Sequence, residues 1–519
     1  MVGMTAVDST GMFAKNIIVK TQASHSIISY LRIARPWIAG ASGHTPNGEA
    51  KHQVQTYTHR FRDAILRAGG YCILQGDYMT PAEWLNSAEA VERSKKPYAH
   101  FDWRTDIGQQ REYIADPSKV TKHGFYPFIH YKKRTLKYNK KKGKKEKIRD
   151  ICYAAHIDRC IFQYYSFLLN VRYNERVQKD GTSASAVAYR TDLHENNIHF
   201  SKRAFDFIRA NSPVHVMIGD FTGFFDNLDH AYLKQQWCSL LNVDRLPVDH
   251  FAVFKNITSY STMELSDLLR LNGLEDTKSG RKKLNEMLRV LTPEQFRENR
   301  SLVQKHTEPY GIPQGSPISG VLANMYMLDI DKQINDAVRE LGGMYIRYSD
   351  DFMIILPDAS GIDAVKELQR ISDIVKHAPR LTLEPDKTQY FHVANGVLTN
   401  CGKTFHDKAD TSSRTINFLG FSFDGQKIRI RSKTVSKYYY RMYRKARNIA
   451  KLGGYTPDGK RITGHNLYMT YSRKGAGKGS GNFLTYVDRA AAEYGPNEPI
   501  KRDTRRHMQK IRKVLNGKR

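Results

Sequence analysis

The chain has 519 residues, with 82 Lys and Arg against 52 Asp and Glu, a net charge of +30 and a pI near 9.7. That length exceeds a typical single domain, and the positive field attracts polyanions such as nucleic acids. No apolar run approaches the roughly 18–20 residues of a membrane span, the opening Met1-Val2-Gly3-Met4 lacks a secretory hydrophobic segment, and neither basic run adjoins a hydrophobic anchor, so membrane association is not expected.

In chain order, residues 1–120 read as an extension with helical stretches, such as Tyr57 to Ala68, and a Trp- and Pro-punctuated region from Pro81 to Trp103. Charge then concentrates from Lys132 to Lys147, where Lys140-Lys141-Lys142-Gly143-Lys144-Lys145 reads as a β-turn with lysines at its tip, or as a solubilising loop. Lys147 and Arg149 share one strand face under a period of two. Val214 to Asp220 is a short β-type run ending in a carboxylate, which alone could also be a helix N-cap. Phe221-Thr222-Gly223-Phe224-Phe225-Asp226-Asn227-Leu228-Asp229-His230 follows, placing Asp226 and Asp229 on a turn or helix.

After an insertion at about 250–308 comes Gly311-Ile312-Pro313-Gln314-Gly315-Ser316-Pro317-Ile318-Ser319-Gly320, a rigid loop feeding a helix at Val321 to Met327. Its backbone amides and Gln314 suit a nucleotide, or the segment is only a turn. Met344-Tyr345-Ile346 and Phe352 to Leu356 then flank Tyr348-Ser349-Asp350-Asp351, which reads as a β-hairpin whose tip presents two adjacent carboxylates. Such anions repel each other unless a divalent cation or another positive group sits beside them.

Lys433 to Leu452 reads as a long basic helix in which Tyr439, Met442, Tyr443, Ala446 and Ala450 share one face. The glycine-rich Arg473 to Gly481 does not meet the phosphate-loop pattern and reads as a flexible linker or RNA-contact loop. A second basic run covers Lys501 to Arg519. The five cysteines, Cys72, Cys152, Cys160, Cys238 and Cys401, form no metal-ligand pattern; reduced thiols and a cytoplasmic location are expected.

In order and spacing, the strand-end Asp220 with its Phe-Phe-Asp-Asn-Leu-Asp-His continuation, the Gly311–Pro317 loop and Arg347-Tyr348-Ser349-Asp350-Asp351 resemble the active-site motifs of reverse transcriptases. The likeness is to the bacterial group that includes group II intron and retron enzymes. Lys147-Ile148-Arg149-Asp150-Ile151 with Asp158-Arg159 resembles the fingers segment, Leu381 to Thr388 the next palm motif, and Asn417-Phe418-Leu419-Gly420-Phe421 the primer-grip hairpin. Val253 to Ser261 resembles a segment of the defence-associated and abortive-infection branch, and the Phe483 to Ala490 helix the distal thumb of defence-type and retron-type enzymes.

This resemblance implies an α+β right-hand polymerase fold. Its fingers would run over 121–205, its palm over 206–425 including the insertion, and a helical thumb with a basic end over 426–519. It implies RNA-directed DNA synthesis with two Mg²⁺ ions, or Mn²⁺, held by Asp220, Asp350 and Asp351, of which Asp220 and Asp350 would bridge the metals. Phe225 would be the steric gate against a ribose 2′-hydroxyl, with Phe224 a core residue. Arg149, with Lys147 beside it, would hold the β- and γ-phosphates; Gln314 would lie over the incoming sugar, and Lys387 would steady pyrophosphate. Expected partners are an RNA template, in particular a noncoding RNA used in antiphage defence, the DNA product and deoxynucleoside triphosphates, with self-association open. Template-independent or protein-primed synthesis, and a noncatalytic RNA-binding scaffold, are the alternatives; RNA synthesis is disfavoured by Phe225.

Overall fold

The computed structural model describes residues 2–4, 17–20, 71–74, 79–139, 143–359, 363–384, 388–405, 412–453, 455, 461, 464–479 and 481–517. The expected helix at Tyr57 to Ala68 and the candidate Lys387 lie outside the described residues. The chain divides into two compact units, Met1–Trp84 and Leu85–Arg519. In the first, Val2–Met4, Ile17–Lys20 and Tyr71–Leu74 form an antiparallel three-stranded sheet with Ile17–Lys20 in the middle. The extension thus contributes strands as well as helices, the latter at Pro81–Asn86, Ala88–Ser94, Ile107–Ile114 and Pro117–Thr121.

The second unit is built around a five-stranded antiparallel sheet. Its order is Val397–Asn400, Gln389–Ala394, Val214–Asp220, Asp351–Pro357, Met344–Tyr348. One face buries Val214, Val216, Ile218, Ile346, Met353, Ile355, Phe391 and Val393 in a core shared with helices Asn197–Ala210 and Ser432–Lys451. Helices Leu328–Glu340 and Ala364–Val375 pack on the sheet as well, and Met217, Phe352, Ile354 and Leu356, which alternate with the first set, are also buried. Burial of both sets explains why these strands read as continuous apolar runs rather than as an alternation. Each fully buried Phe or Ile contributes about 1.5–3 kcal/mol of transfer free energy.

A second sheet orders its strands Gly143–Tyr153, Phe128–Asn139, Ser261–Glu264, Gln304–Lys305. The first two form the long hairpin expected around the lysine run, although the turn residues Lys140, Lys141 and Lys142 lie outside the described set. The insertion supplies the other two strands, and Ser261–Glu264 runs parallel to Phe128–Asn139. Met263, Leu265, Leu268 and Leu269 from the insertion share a core with Ala99, Phe101 and Ile129. Although it follows Asp220 in sequence, the insertion is therefore built onto the hairpin.

Two expectations for the C-terminal region shift. Helix Ser432–Lys451 buries Val435, Tyr438, Tyr439, Met442 and Ala446, whereas Ala450 is exposed; the buried stripe starts earlier than expected and stops a turn before the helix ends. The glycine-rich segment is not a plain linker. Arg473–Ala476 is a short helix capped by Ser472, Gly475 is buried, and Arg473 pairs with Asp488 on helix Phe483–Tyr494.

Candidate active site

Asp220 ends the middle strand of the five-stranded sheet, and Asp351 begins the neighbouring strand directly opposite it. Tyr348 pairs with Asp351 on the other side, so Ser349-Asp350 is a two-residue hairpin turn. The three aspartates, separated by some 130 residues of chain, therefore meet at one end of adjacent strands through backbone pairing alone. Two contacts tie neighbouring chain to this end: the Phe221 amide donates to the Asp350 carbonyl at 3.3 Å, and the Glu384 amide to the Asp220 carbonyl at 2.9 Å. Just before Asp220, Gly219 faces the Phe352 ring, and a Cβ there would stand 2.2 Å from it. A side chain there would force the buried Phe352 ring to shift.

The turn is held from below. Ser349 adopts φ 62°, a left-handed conformation uncommon for a residue with a side chain. Its carbonyl accepts from Arg347 Nη1 at 3.0 Å, and its hydroxyl shares a 2.8 Å hydrogen bond with Tyr189 Oη. Arg347 is fully buried and grips Asp331 through Nε–Oδ1 at 2.7 Å and Nη2–Oδ2 at 2.5 Å, a bidentate pair to which Tyr345 adds its hydroxyl at 2.8 Å. The guanidinium pKa is raised: burial works to lower it and the Asp331 charge prevails. Asp331, Tyr189 and the supporting role of Arg347 escaped the reading of the sequence. A lone arginine inside an otherwise apolar strand was the available signal, because a buried guanidinium demands a buried anion.

Phe224–Asn227 forms a 3₁₀ turn after the Asp220 strand. Phe224 is buried, stacking on Phe221, while Phe225 is half-exposed; the core role expected of Phe224 holds. Asp229 caps helix His230–Leu241 by accepting from the Tyr232 amide. The Gly311–Pro317 loop is zipped onto this turn: the Ile312 amide donates to the Phe225 carbonyl at 3.0 Å, the Gly311 amide to the Leu228 carbonyl at 2.8 Å, and His230 Nε2 to the Gly311 carbonyl at 2.7 Å.

Gln314 Nε2 donates to Asp226 Oδ1 at 3.0 Å, and the Gln314 backbone carbonyl accepts from the Cys152 amide at 2.9 Å. Burial pushes the Asp226 carboxyl up, with the Gln314 amide opposing and the Asp150 charge adding to the rise. Gly315, at φ 119°, lies so close to the Cys152 carbonyl that a Cβ would stand 2.4 Å away. The loop thus joins the Asp220 turn to strand Gly143–Tyr153, which carries Lys147 and Arg149. Arg149 is exposed and Lys147 half-exposed, paired in register with Lys133 and Thr135.

Chemically, three carboxylates carried on neighbouring strand ends and the turn between them suit a divalent oxygen-loving cation, since Mg²⁺ binds through one or two carboxylates while keeping waters and phosphate oxygens. Asp220, Asp350 and Asp351 would hold it. Thr222 Oγ1 donates to Glu384 at 3.2 Å, adding a further acidic group beside Asp220 that had not been singled out.

Residues 139–423 match the family described as reverse transcriptase (RNA-dependent DNA polymerase). Among solved structures, the chain is similar to apo telomerase from Candida tropicalis truncated from its C-terminal domain (13% identity, TM-score 0.34, covering 63% of this chain and 61% of that one). It is also similar to telomerase from Candida albicans in complex with a TWJ fragment of telomeric RNA (13% identity, TM-score 0.34, covering 79% and 58%). The chain spans about three-fifths of the length of these telomerases. No curated protein matches. With its match covering more than half of the sequence, and with a mixed α+β architecture, the chain belongs to the reverse transcriptase family.

Proposed function

We propose that this protein is an RNA-directed DNA polymerase whose catalytic groups are Asp220, Asp350 and Asp351. The observation that carries the reading is the cross-strand pairing of Asp351 with Asp220 beside the Ser349-Asp350 turn, within a chain of this family. A pair of divalent ions bound there, Mg²⁺ by preference, would supply charge neutralisation at the attacking 3′-oxygen and the leaving pyrophosphate. The chain's own residues do the positioning. The buried Arg347–Asp331 pair fixes the turn that carries Asp350, so the carboxylates need little rearrangement when substrate arrives. Phe225, half-exposed on the turn after Asp220, stands as the gate against a 2′-hydroxyl, and the loop hydrogen-bonded to its carbonyl holds its backbone. Arg149 presents a guanidinium suited to bidentate phosphate contact. Gln314, anchored to Asp226, orients the face it shares with the incoming sugar.

Nucleic acid binding is supported by the charge and by the exposed Arg441, Arg444 and Arg447 along helix Ser432–Lys451. An open cavity of about 500 Å³ beside that helix is lined by Lys437, Arg441, Tyr471 and Lys478. The more specific reading, a noncoding RNA partner and a role in antiphage defence, rests on the likeness of the Val253–Ser261 and Phe483–Ala490 segments to the defence-associated branch. No helix among the described residues is long and apolar enough to cross a membrane.

The test is primer extension by the purified chain on an RNA template, comparing deoxy- and ribonucleotides, with Phe225→Ala alongside. Deoxynucleotide incorporation that requires a divalent ion, with roughly tenfold weaker sugar discrimination in Phe225→Ala (about 1.4 kcal/mol), is expected. Absence of any incorporation, including on copurified RNA, would favour the noncatalytic scaffold. Product that stays on the protein after denaturation and RNase would favour protein priming.

A further inference from the structure

The strand that ends at Asp220 begins beside a different set of ligands. His215 lies opposite His392 on strand Gln389–Ala394 and opposite Leu356 on strand Asp351–Pro357. Asp358 follows that last strand, two positions beyond Leu356, and period two returns it to the same face. The carboxylate sits between the imidazoles: His215 Nδ1 is 2.8 Å from Oδ1 and His392 Nε2 is 2.9 Å from Oδ2. The rings lie 4.6 Å apart, and one ligand atom from each of the three residues falls within 4.8 Å of the others. Two strands and the residue that follows a third therefore bring two imidazoles and one carboxylate together. The Asp358 amide donates to the Pro213 carbonyl at 2.9 Å, fixing the backbone beneath the carboxylate.

From this arrangement we infer that His215, Asp358 and His392 form a binding site for a borderline divalent cation, Zn²⁺, separate from the Asp220 end of the sheet. Donors around a tetrahedral Zn²⁺ with bonds of about 2.0–2.1 Å stand about 3.3 Å apart, so the observed spacing needs only small side-chain adjustments. Two imidazoles favour Zn²⁺ over Mg²⁺, which prefers an all-oxygen shell. Three protein ligands leave the fourth position to water. The side chains are 18%, 33% and 32% exposed, which gives an ion a way in and room for that water. His215 precedes Asp220 by five residues, about 17 Å along an extended strand, so the two ends of the sheet bind different cations independently. Bound there, Zn²⁺ cross-links three strands of the central sheet and stabilises it by mass action.

The experiment titrates the metal-stripped full chain with Zn²⁺, following heat and thermal midpoint, and repeats the titration with Co²⁺ followed by absorption. One saturable site is expected, with a raised midpoint, no displacement by millimolar Mg²⁺, and a Co²⁺ spectrum without the thiolate band that cysteine ligation would give. His215→Ala and His392→Ala should each weaken binding by more than about 100-fold, and Asp358→Asn by roughly 10- to 100-fold. Circular dichroism of each variant in chelator checks that it folds. The nearly isosteric Asp358→Asn carries the test if a histidine variant does not. No saturable Zn²⁺ binding by the natural chain would overturn the inference and leave Asp358 as a clamp between two imidazoles. Binding unchanged in all three variants, or a sulfur-type Co²⁺ spectrum, would overturn it equally.

Discussion

The five-stranded and four-stranded sheets of the larger unit treat charge in opposite ways. In the five-stranded sheet, acidic groups stand at the ends of strands whose interiors are buried, and Arg347 is desolvated and saturated by Asp331, Ser349 and Asn324. In the four-stranded sheet, the long hairpin keeps Lys132, Lys133, Arg134 and Arg149 exposed. The contrast separates two tasks. Holding like charges in fixed positions requires a stiff, buried support, whereas attracting a polyanion requires cations that stay hydrated and accessible. The Gly311–Pro317 loop is hydrogen-bonded to both structures, through Phe225 on one side and Cys152 on the other.

The largest expected effect breaks the first half of this contrast. Asp350→Asn should lower deoxynucleotide incorporation by roughly 10³-fold, about 4 kcal/mol, with an unchanged unfolding midpoint because the turn backbone persists. Residual synthesis within tenfold of the natural chain would remove Asp350 from the site. Next, Arg347→Met leaves Asp331 buried without its cation. Removing one partner of a buried pair costs about 3–5 kcal/mol, measurable by denaturant unfolding, and a loss below about 1 kcal/mol would show that the pair does not support the turn. The same logic predicts the reverse for the hairpin: Arg149→Ala should raise the KM for deoxynucleotides by roughly tenfold, through loss of a charge-assisted contact, and shift stability by no more than about 0.5 kcal/mol. A stability loss without a KM change would assign Arg149 to the fold.

A pH-dependent effect concerns the base of the four-stranded sheet. His100 is completely buried, with Nδ1 accepting from the Phe101 amide at 2.9 Å and Nε2 donating to the Tyr153 carbonyl at 3.2 Å. Burial pushes its pKa down to about 3, whereas in the unfolded chain it stays near 6.5. Between these values the unfolded state binds the extra proton, so stability falls as pH drops below 6.5, by up to about 1.4 kcal/mol per pH unit. His100→Gln should flatten that part of the pH–stability curve. An unaltered slope would mean that His100 is protonated in the folded protein.

Much of the central architecture was legible because it is written in local patterns. The apolar runs on both sides of Tyr348-Ser349-Asp350-Asp351 could only be buried strands around a tight turn, and the run ending at Asp220 carried the same signature. The long hairpin around the lysines and the basic helix after Lys433 were legible for similar reasons, through periodicity and charge. Local pattern failed where the partner lay far away in the chain. Nothing near residue 260 announces that Ser261–Glu264 will pair in parallel with Phe128–Asn139, and the residues around Asp331 give no sign that it will neutralise Arg347.

By itself, the sequence determined the strand ends, the turn and the carboxylates they carry, because a strand's face and a turn's residues are set by neighbours within a few positions. Only the tertiary structure decided which strands became neighbours. That choice placed Asp351 opposite Asp220, His392 opposite His215, and Gln314 against both Asp226 and Cys152. The physical reason is that pairing register depends on burying matched faces between segments far apart in the chain, a global condition no single stretch of chain encodes.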